Sequence, residues 1–163
     1  LSQQVRCTLS ALYEIMLETE PIMNEVVTFL NFDGNCREAM EFYKKCFDAE
    51  LFLLPYSQAP DDLPWVTEEA KSKIMHSTLT KGSLTILMAA DTISGRLFQP
   101  GNNFSVAIHC EGLPEIERLF TALGENGEIT MPLQETFWAI RFGMLTDRFG
   151  IRWLLNLGKP AQG

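Results

Sequence analysis

The chain has 163 residues, 46% of them hydrophobic and 21% charged, with a net charge of −8 at neutral pH. That is the composition of one globular domain with a core of its own. It excludes a nucleic-acid-binding protein, because no basic run exists to neutralise phosphates, and no apolar run reaches the ~18 residues needed to cross a bilayer.

Residues 1–22 stand apart from the rest of the chain. Leu9, Leu12, Tyr13, Met16 and Leu17 form a one-sided helical stripe that Pro21 ends. The segment has neither the basic head nor the long apolar stretch of a secretory signal. It reads as an N-terminal extension with a helix, ahead of a self-contained domain over residues 23–163. Four cysteines, Cys7, Cys36, Cys46 and Cys110, occur without a CxxC pair. Cys36 and Cys46 fall on one predicted helix, roughly 15 Å apart, too far for a disulfide. The thiols read as reduced and buried, which places the protein in the cytoplasm.

From Asn24 the elements come in a regular order. Val26 to Phe32 is a predicted strand, and Asp33-Gly34-Asn35 a turn in which Asn35 caps the next helix. That helix, Cys36 to Phe47, carries Ala39, Met40, Tyr43 and Phe47 at helical spacing, with Glu41, Lys44 and Lys45 outside. Glu50 to Tyr56 is a strand. A long polar loop from Ser57 to Ser72 contains Pro60, Pro64 and Trp65, a length typical of lids and dimer arms. Lys73 to Thr80 and Leu84 to Ala90 form a hairpin across Lys81-Gly82-Ser83.

After a linker from Asp91 to Gly101 the order repeats. Asn103 to Cys110 is a strand, Leu113 to Leu123 an amphipathic helix, and Ile129 to Thr136, Trp138 to Thr146 and Ile151 to Leu157 are strands. The last two are joined by Asp147-Arg148-Phe149-Gly150, where Gly150 can take a positive φ. The β-α-β-β-β order thus occurs twice, at a period of roughly 75 residues. The expected architecture is α+β: two paired modules, about residues 24–92 and 102–158, forming a curved mixed sheet around a cleft. Such a cleft is a natural ligand site, and Trp138, Arg141 and Trp153 are candidates to line it. Of the tryptophans flanking the final hairpin, Trp138 is expected to face inward.

The segments Phe29 to Leu51 (FLNFDGNCREAMEFYKKCFDAEL), Met75 to Leu79 (MHSTL), Leu87 to Asp91 (LMAAD) and the closing QETFW…FGMLTDRFGIRWLLN carry a family resemblance. The chain resembles the vicinal-oxygen-chelate superfamily of glyoxalases, extradiol dioxygenases and bleomycin-resistance proteins. Within it, the chain is similar to the branch named for demethylubiquinone methyltransferase. The resemblance spans about Asn24 to Leu157.

It implies where a metal would sit. Catalytic members of the superfamily hold a divalent ion through one His, Glu or Gln on each of the first, fourth, fifth and eighth strands. Those slots fall here at Thr28, near Leu87, at Ser105 and at Leu154. None supplies a good ligand, and two are aliphatic, so no metal and no other cofactor is expected. The same branch commonly has a histidine at the place of His76, a candidate to hydrogen-bond a ligand or to act as acid or base. His109, four residues past Ser105, shares its facing about 13 Å along the strand. Methyl transfer finds no support in the residues. The one nearby candidate is Asp33-Gly34-Asn35, a weak match with a single glycine and the wrong strand order for a nucleotide-type site. No Ser/His/Asp or Cys/His signature is present either.

The reading is therefore a homodimeric protein that binds a small organic molecule, without nucleic-acid or membrane partners, through Thr28, His76, Leu87, Ser105, Trp138, Arg141 and Leu154. The competing readings are a metal-dependent or acid–base enzyme of lyase, isomerase or dioxygenase type, and an interaction module built on the N-terminal helix.

Overall fold

Alternation of apolar and polar residues decides which side each strand buries, and it does so twice in this chain. The computed structural model describes residues 26–60, 63, 66–93 and 98–160. The helical stripe within residues 1–22, Cys7 and Trp65 lie outside the described residues. The first module comprises β1 (Phe29–Phe32), α1 (Cys36–Phe47), β2 (Glu50–Pro55), β3 (Ile74–Lys81) and β4 (Leu84–Asp91). Its sheet has the order β1-β4-β3-β2, with β1 parallel to β4 and the other pairs antiparallel. Between β2 and β3 the chain makes short 3-10 turns at Tyr56–Gln58 and Glu69–Ser72. Leu30, Phe32, Ser77, Leu79, Leu87 and Ala89 are buried on the side covered by α1. The helix meets them with Cys36, Ala39, Met40, Tyr43, Cys46 and Phe47.

The second module repeats this plan with β5 (Val106–His109), α2 (Leu113–Leu123), β6 (Glu128–Gln134), β7 (Ala139–Thr146) and β8 (Arg152–Gly158). Its sheet order is β5-β8-β7-β6, again with a parallel outer pair. Leu145, Trp153, Leu155 and Leu157 are buried beneath α2, which contributes Ile116, Leu119 and Leu123. Gly143 makes that close approach possible: a Cβ there would stand 2.7 Å from the Phe120 ring and 2.9 Å from Leu133. The two α+β modules with mixed sheets are those expected. β1 is shorter than the predicted strand by its first three residues, and β5 begins at Val106 rather than Asn103.

The helix-covered sides of both sheets feed one continuous core. Trp153 of β8 lies edge-on to Tyr43 of α1 at 5.5 Å between ring centroids, and 5.7 Å from Phe47. Because the helices occupy the interior between the modules, the other face of each sheet is an outer one. Each sheet remains a separate four-stranded ladder, and β1 and β5 are edge strands.

Two buried aspartates hold this arrangement. Asp91, at the end of β4, accepts hydrogen bonds from the backbone N–H groups of Gly34, Cys36 and Ile74 at 2.7–2.9 Å. It therefore does the capping that the sequence suggested for Asn35, whose side chain makes no cap hydrogen bond. A carboxylate supplied from a neighbouring strand serves the N-terminal donors of α1 as well as a local cap would. Asp147 accepts from the backbone N–H of Phe149 and Ile151 through Oδ1, and from the Tyr43 hydroxyl and the Trp153 indole through Oδ2. Gly150 closes the same turn at φ +83°, the positive value expected of it.

Candidate functional site

Strand parity assigns each candidate residue to a side. On the first sheet, Phe29, Asn31, His76, Thr78 and Met88 occupy the face away from α1, opposite the buried set. His76 is half-buried there. Its Nε2 lies 3.0 Å from Thr78 Oγ1, and its ring stands 6.2 Å from that of Phe29. Phe29 and Phe52 are 45% and 57% exposed, unusual for large aromatics on a sheet surface.

The open face of the second sheet carries Ala107 and His109 of β5, Leu154 and Asn156 of β8, and Phe142 and Met144 of β7, paired strand to strand. Ser105, just before β5, shares their parity. Trp138 stands at the end of this face, its ring edge-on to Phe142 at 5.6 Å and in contact with Phe137 at 4.5 Å. The turn that presents it is fixed by the Ala139 N–H donating to Thr136 Oγ1 and by Lys159 N–H donating to the Trp138 carbonyl.

His76, Ser105, Trp138 and Leu154 thus lie on or beside the open faces. Three other candidates do not. Leu87 is fully buried beneath α1, opposite Leu79, so Met88 takes the open position on β4. Thr28 precedes β1 by one residue and keeps the parity of Leu30 and Phe32, leaving Phe29 to face outward. Both displacements are of one residue, and in a strand one residue reverses the side chain. Arg141 pairs with Leu157 and shares the helix-facing side with Gly143 and Leu145, since plain strand alternation sets it opposite Phe142 and Met144. Its guanidinium donates to the Ile140 carbonyl. Trp153 is a core residue, 1% exposed, bonded to Asp147.

Residues at and beside the expected metal slots are Phe29, Met88, Ser105 and Leu154. Their donor set does not fit a divalent ion, and no group of three His, Cys, Asp or Glu able to hold one occurs among the described residues. Among the described residues the cysteines are poor nucleophiles: burial pushes the Cys36 thiol up to about 12, and the thiols of Cys46 and Cys110 to about 11.

A cavity of about 770 Å³ lies beside β1, where Phe29 and Asn31 meet Phe98 and Phe104 of the linker and Phe149 of the final turn. It has the size of a small-molecule site. None of the seven candidates lines it. Arg152 Nη1 donates to the Asn102 carbonyl at 2.6 Å, tying the linker to β8. The open-face positions that sequence reasoning passed over are Phe29, Phe142 and Asn156. Each sits in a segment that carries the family resemblance, but only the register showed that they share open faces with the histidines.

The family profile described as 3-demethylubiquinone-9 3-methyltransferase matches residues 24–156. Protein YjdN of Escherichia coli (strain K12) is 31% identical over 144 residues, covering 82% of this chain and 97% of its own. The crystal structure of protein PA1353 from Pseudomonas aeruginosa is 40% identical, with a TM-score of 0.73 over 82% of this chain and 97% of that one. The fosfomycin resistance protein FosX from Listeria monocytogenes, 13% identical, shares the fold at a TM-score of 0.57 over 85% of this chain and 95% of its own. The chain thus belongs to the family described as 3-demethylubiquinone-9 3-methyltransferase, within the vicinal-oxygen-chelate fold.

Proposed function

We propose that this protein binds a small, largely apolar organic molecule between sheet faces, through aromatic and hydrogen-bonding side chains rather than a metal, and that it does so as a homodimer in the cytoplasm. The observation that carries this reading is the make-up of the two open faces. Phe29, Phe52, Met88, Phe142, Met144, Leu154 and Trp138 supply apolar and polarisable surface, and a few polar groups, His76, Thr78, His109 and Asn156, are set among them. That is the lining of a ligand pocket, mostly apolar with sparse, placed polar atoms. Within one chain these faces are the outer ones, so a second copy is needed to bring module one of one protomer opposite module two of its partner. The free, buried Cys36, Cys46 and Cys110 suit a reducing compartment.

Methyl transfer, which the family's name suggests, is not part of the proposal. The glycine turn before α1 has its Gly34 and Cys36 N–H groups committed to Asp91, whose carboxylate already fills the place a cofactor's anionic group would take. A second reading, an acid–base enzyme, rests on one residue: His76 is half-buried, oriented by Thr78 and flanked by Phe29.

Two measurements test the proposal. Trp138→Ala is expected to weaken binding of 2-naphthol, a planar probe, by about tenfold in calorimetric titration, while Trp65→Ala has a smaller effect. Unchanged affinity in the Trp138 variant would remove the aromatic wall from the site. Elemental analysis of purified, chelator-treated protein is expected to find far less than one Ni, Zn, Fe or Mn per chain. A stoichiometric, retained metal would overturn metal-free binding in favour of an enzyme.

A further inference from the structure

The free edge of β1 opens into a cavity, and its main chain is unpartnered there. The Thr28 and Phe32 carbonyls accept from the Met88 and Thr92 N–H groups on the β4 side. In a parallel ladder alternate residues bond to one neighbour, so the N–H and C=O groups of Phe29 and Asn31 point away from β4. No strand lies on that side of β1, and these groups make no hydrogen bond among the described residues. What lies there instead is the cavity of about 770 Å³, which follows the chain from Phe29 to Asp33.

The rest of the cavity wall is aromatic. Phe149 is held edge-on to Phe32 and to Tyr43, at 6.5 and 6.0 Å between ring centroids. Phe98 and Phe104 come from the linker, which the Arg152–Asn102 hydrogen bond ties to β8. They are 39% and 50% exposed, so their apolar surface is open to a visitor. The one ionisable side chain in the wall is Asp33, just past the C-terminal end of β1. Its Oδ1 lies 4.0 Å from Lys73 Nζ, too long for a hydrogen bond, and the side chain is 65% exposed. The wall therefore carries a carboxylate able to take a cation, and no cation of its own to answer a carboxylate. An open strand edge is matched by another main chain. A chain laid antiparallel to β1 exchanges both hydrogen bonds with Asn31 from a single residue, and its N-terminus falls at the C-terminal end of β1, beside Asp33.

We propose that this cavity takes up the free N-terminus of a short apolar peptide as an added antiparallel strand. The third residue of the peptide pairs with Asn31, its ammonium group sits at Asp33, and its side chains lie against Phe29, Phe98, Phe104 and Phe149. The site is built within one chain and goes beyond the cleft proposed between protomers.

The test titrates the amidated tetrapeptide Val-Phe-Val-Phe into the full chain by calorimetry. N-methylation of its third residue removes the donor to the Asn31 carbonyl and keeps every side chain, and is expected to weaken binding about tenfold. Acetylating its N-terminus is expected to weaken binding about threefold, as loss of an exposed ion pair does, and Asp33→Asn should make the free and acetylated forms equal. Asn31→Pro removes the Asn31 N–H, which does not bond to β4, so the ladder of β1 survives. That variant is expected to bind about tenfold more weakly at a nearly unchanged thermal midpoint. If it fails to fold, the peptide variants still decide on the wild-type protein. Absence of binding, or equal binding of the N-methylated peptide, overturns the site. Binding that weakens as protein concentration rises overturns it too, since a second copy then occupies the edge.

Discussion

Asp147 shows how much can depend on one side chain. It is 4% exposed, and its two oxygens accept four hydrogen bonds, from two turn amides, the Tyr43 hydroxyl of α1 and the Trp153 indole of β8. Burial, with Asp147 close by, raises the Tyr43 phenol above its usual range, so it stays a donor at any ordinary pH. Removing the carboxylate strands the buried Tyr43 and Trp153 donors and leaves the two part-buried turn amides without their acceptor. Asp147→Ala is expected to cost roughly 3–5 kcal/mol in urea unfolding, with the Trp153 emission shifted to the red. A cost below about 1 kcal/mol would mean the turn reorganises without it. In the sequence this aspartate was visible only as turn chemistry, because its partners Tyr43 and Trp153 are brought to it by tertiary contact.

At the scale of the element, α1 joins a legible helix to an illegible anchor. Its length and buried face follow from the spacing of Ala39, Met40, Tyr43 and Phe47. Its N-terminal cap does not, since Asp91 comes from a strand more than fifty residues away. The same helix buries Cys36 and Cys46, with the Cys36 thiol 3.6 Å from Ser77 Oγ. Folding lifts these thiols from an ordinary 9.0 to about 12 and about 11, and Cys110 likewise to about 11. A group whose folded pKa is raised contributes its stability below the unfolded value and loses it as pH climbs toward the folded one. Stability is therefore expected to be flat across this group's range up to about pH 9 and to fall above it. Alkylation at pH 8 followed by peptide mapping should leave Cys36, Cys46 and Cys110 unmodified until denaturant is added. Rapid labelling of any of the three in the folded protein would contradict its burial.

At the scale of the whole molecule, the placement of the helices between the modules sends both aromatic faces outward. Phe29, Phe52, Phe137 and Trp138 are all more than 40% exposed, and β1 and β5 offer unpaired edges. Such surface favours association. Sedimentation velocity at micromolar concentration is expected to give a species of twice the chain mass. A stable monomer that still binds the naphthol probe would detach ligand binding from dimerisation.

The division of labour between sequence and tertiary structure comes from the range of the interactions involved. Helical and strand periodicity, the turn at Gly150, the twofold β-α-β-β-β order and the family all depend on residues near one another in the chain, and all were legible before any coordinate. The open-face set was not. Thr28 and Leu87 missed it by one residue each, since a strand's facing reverses with every step and the turn lengths that set it are not visible in a pattern. Arg141 missed it because it alternates with Phe142 and Met144, the open-face residues of its strand. Asn156 with His109, and Asp147 with Tyr43 and Trp153, are pairings across strands and between modules. Only the tertiary structure decides these, because the energy that selects them comes from shared burial and hydrogen bonds between segments the sequence places far apart.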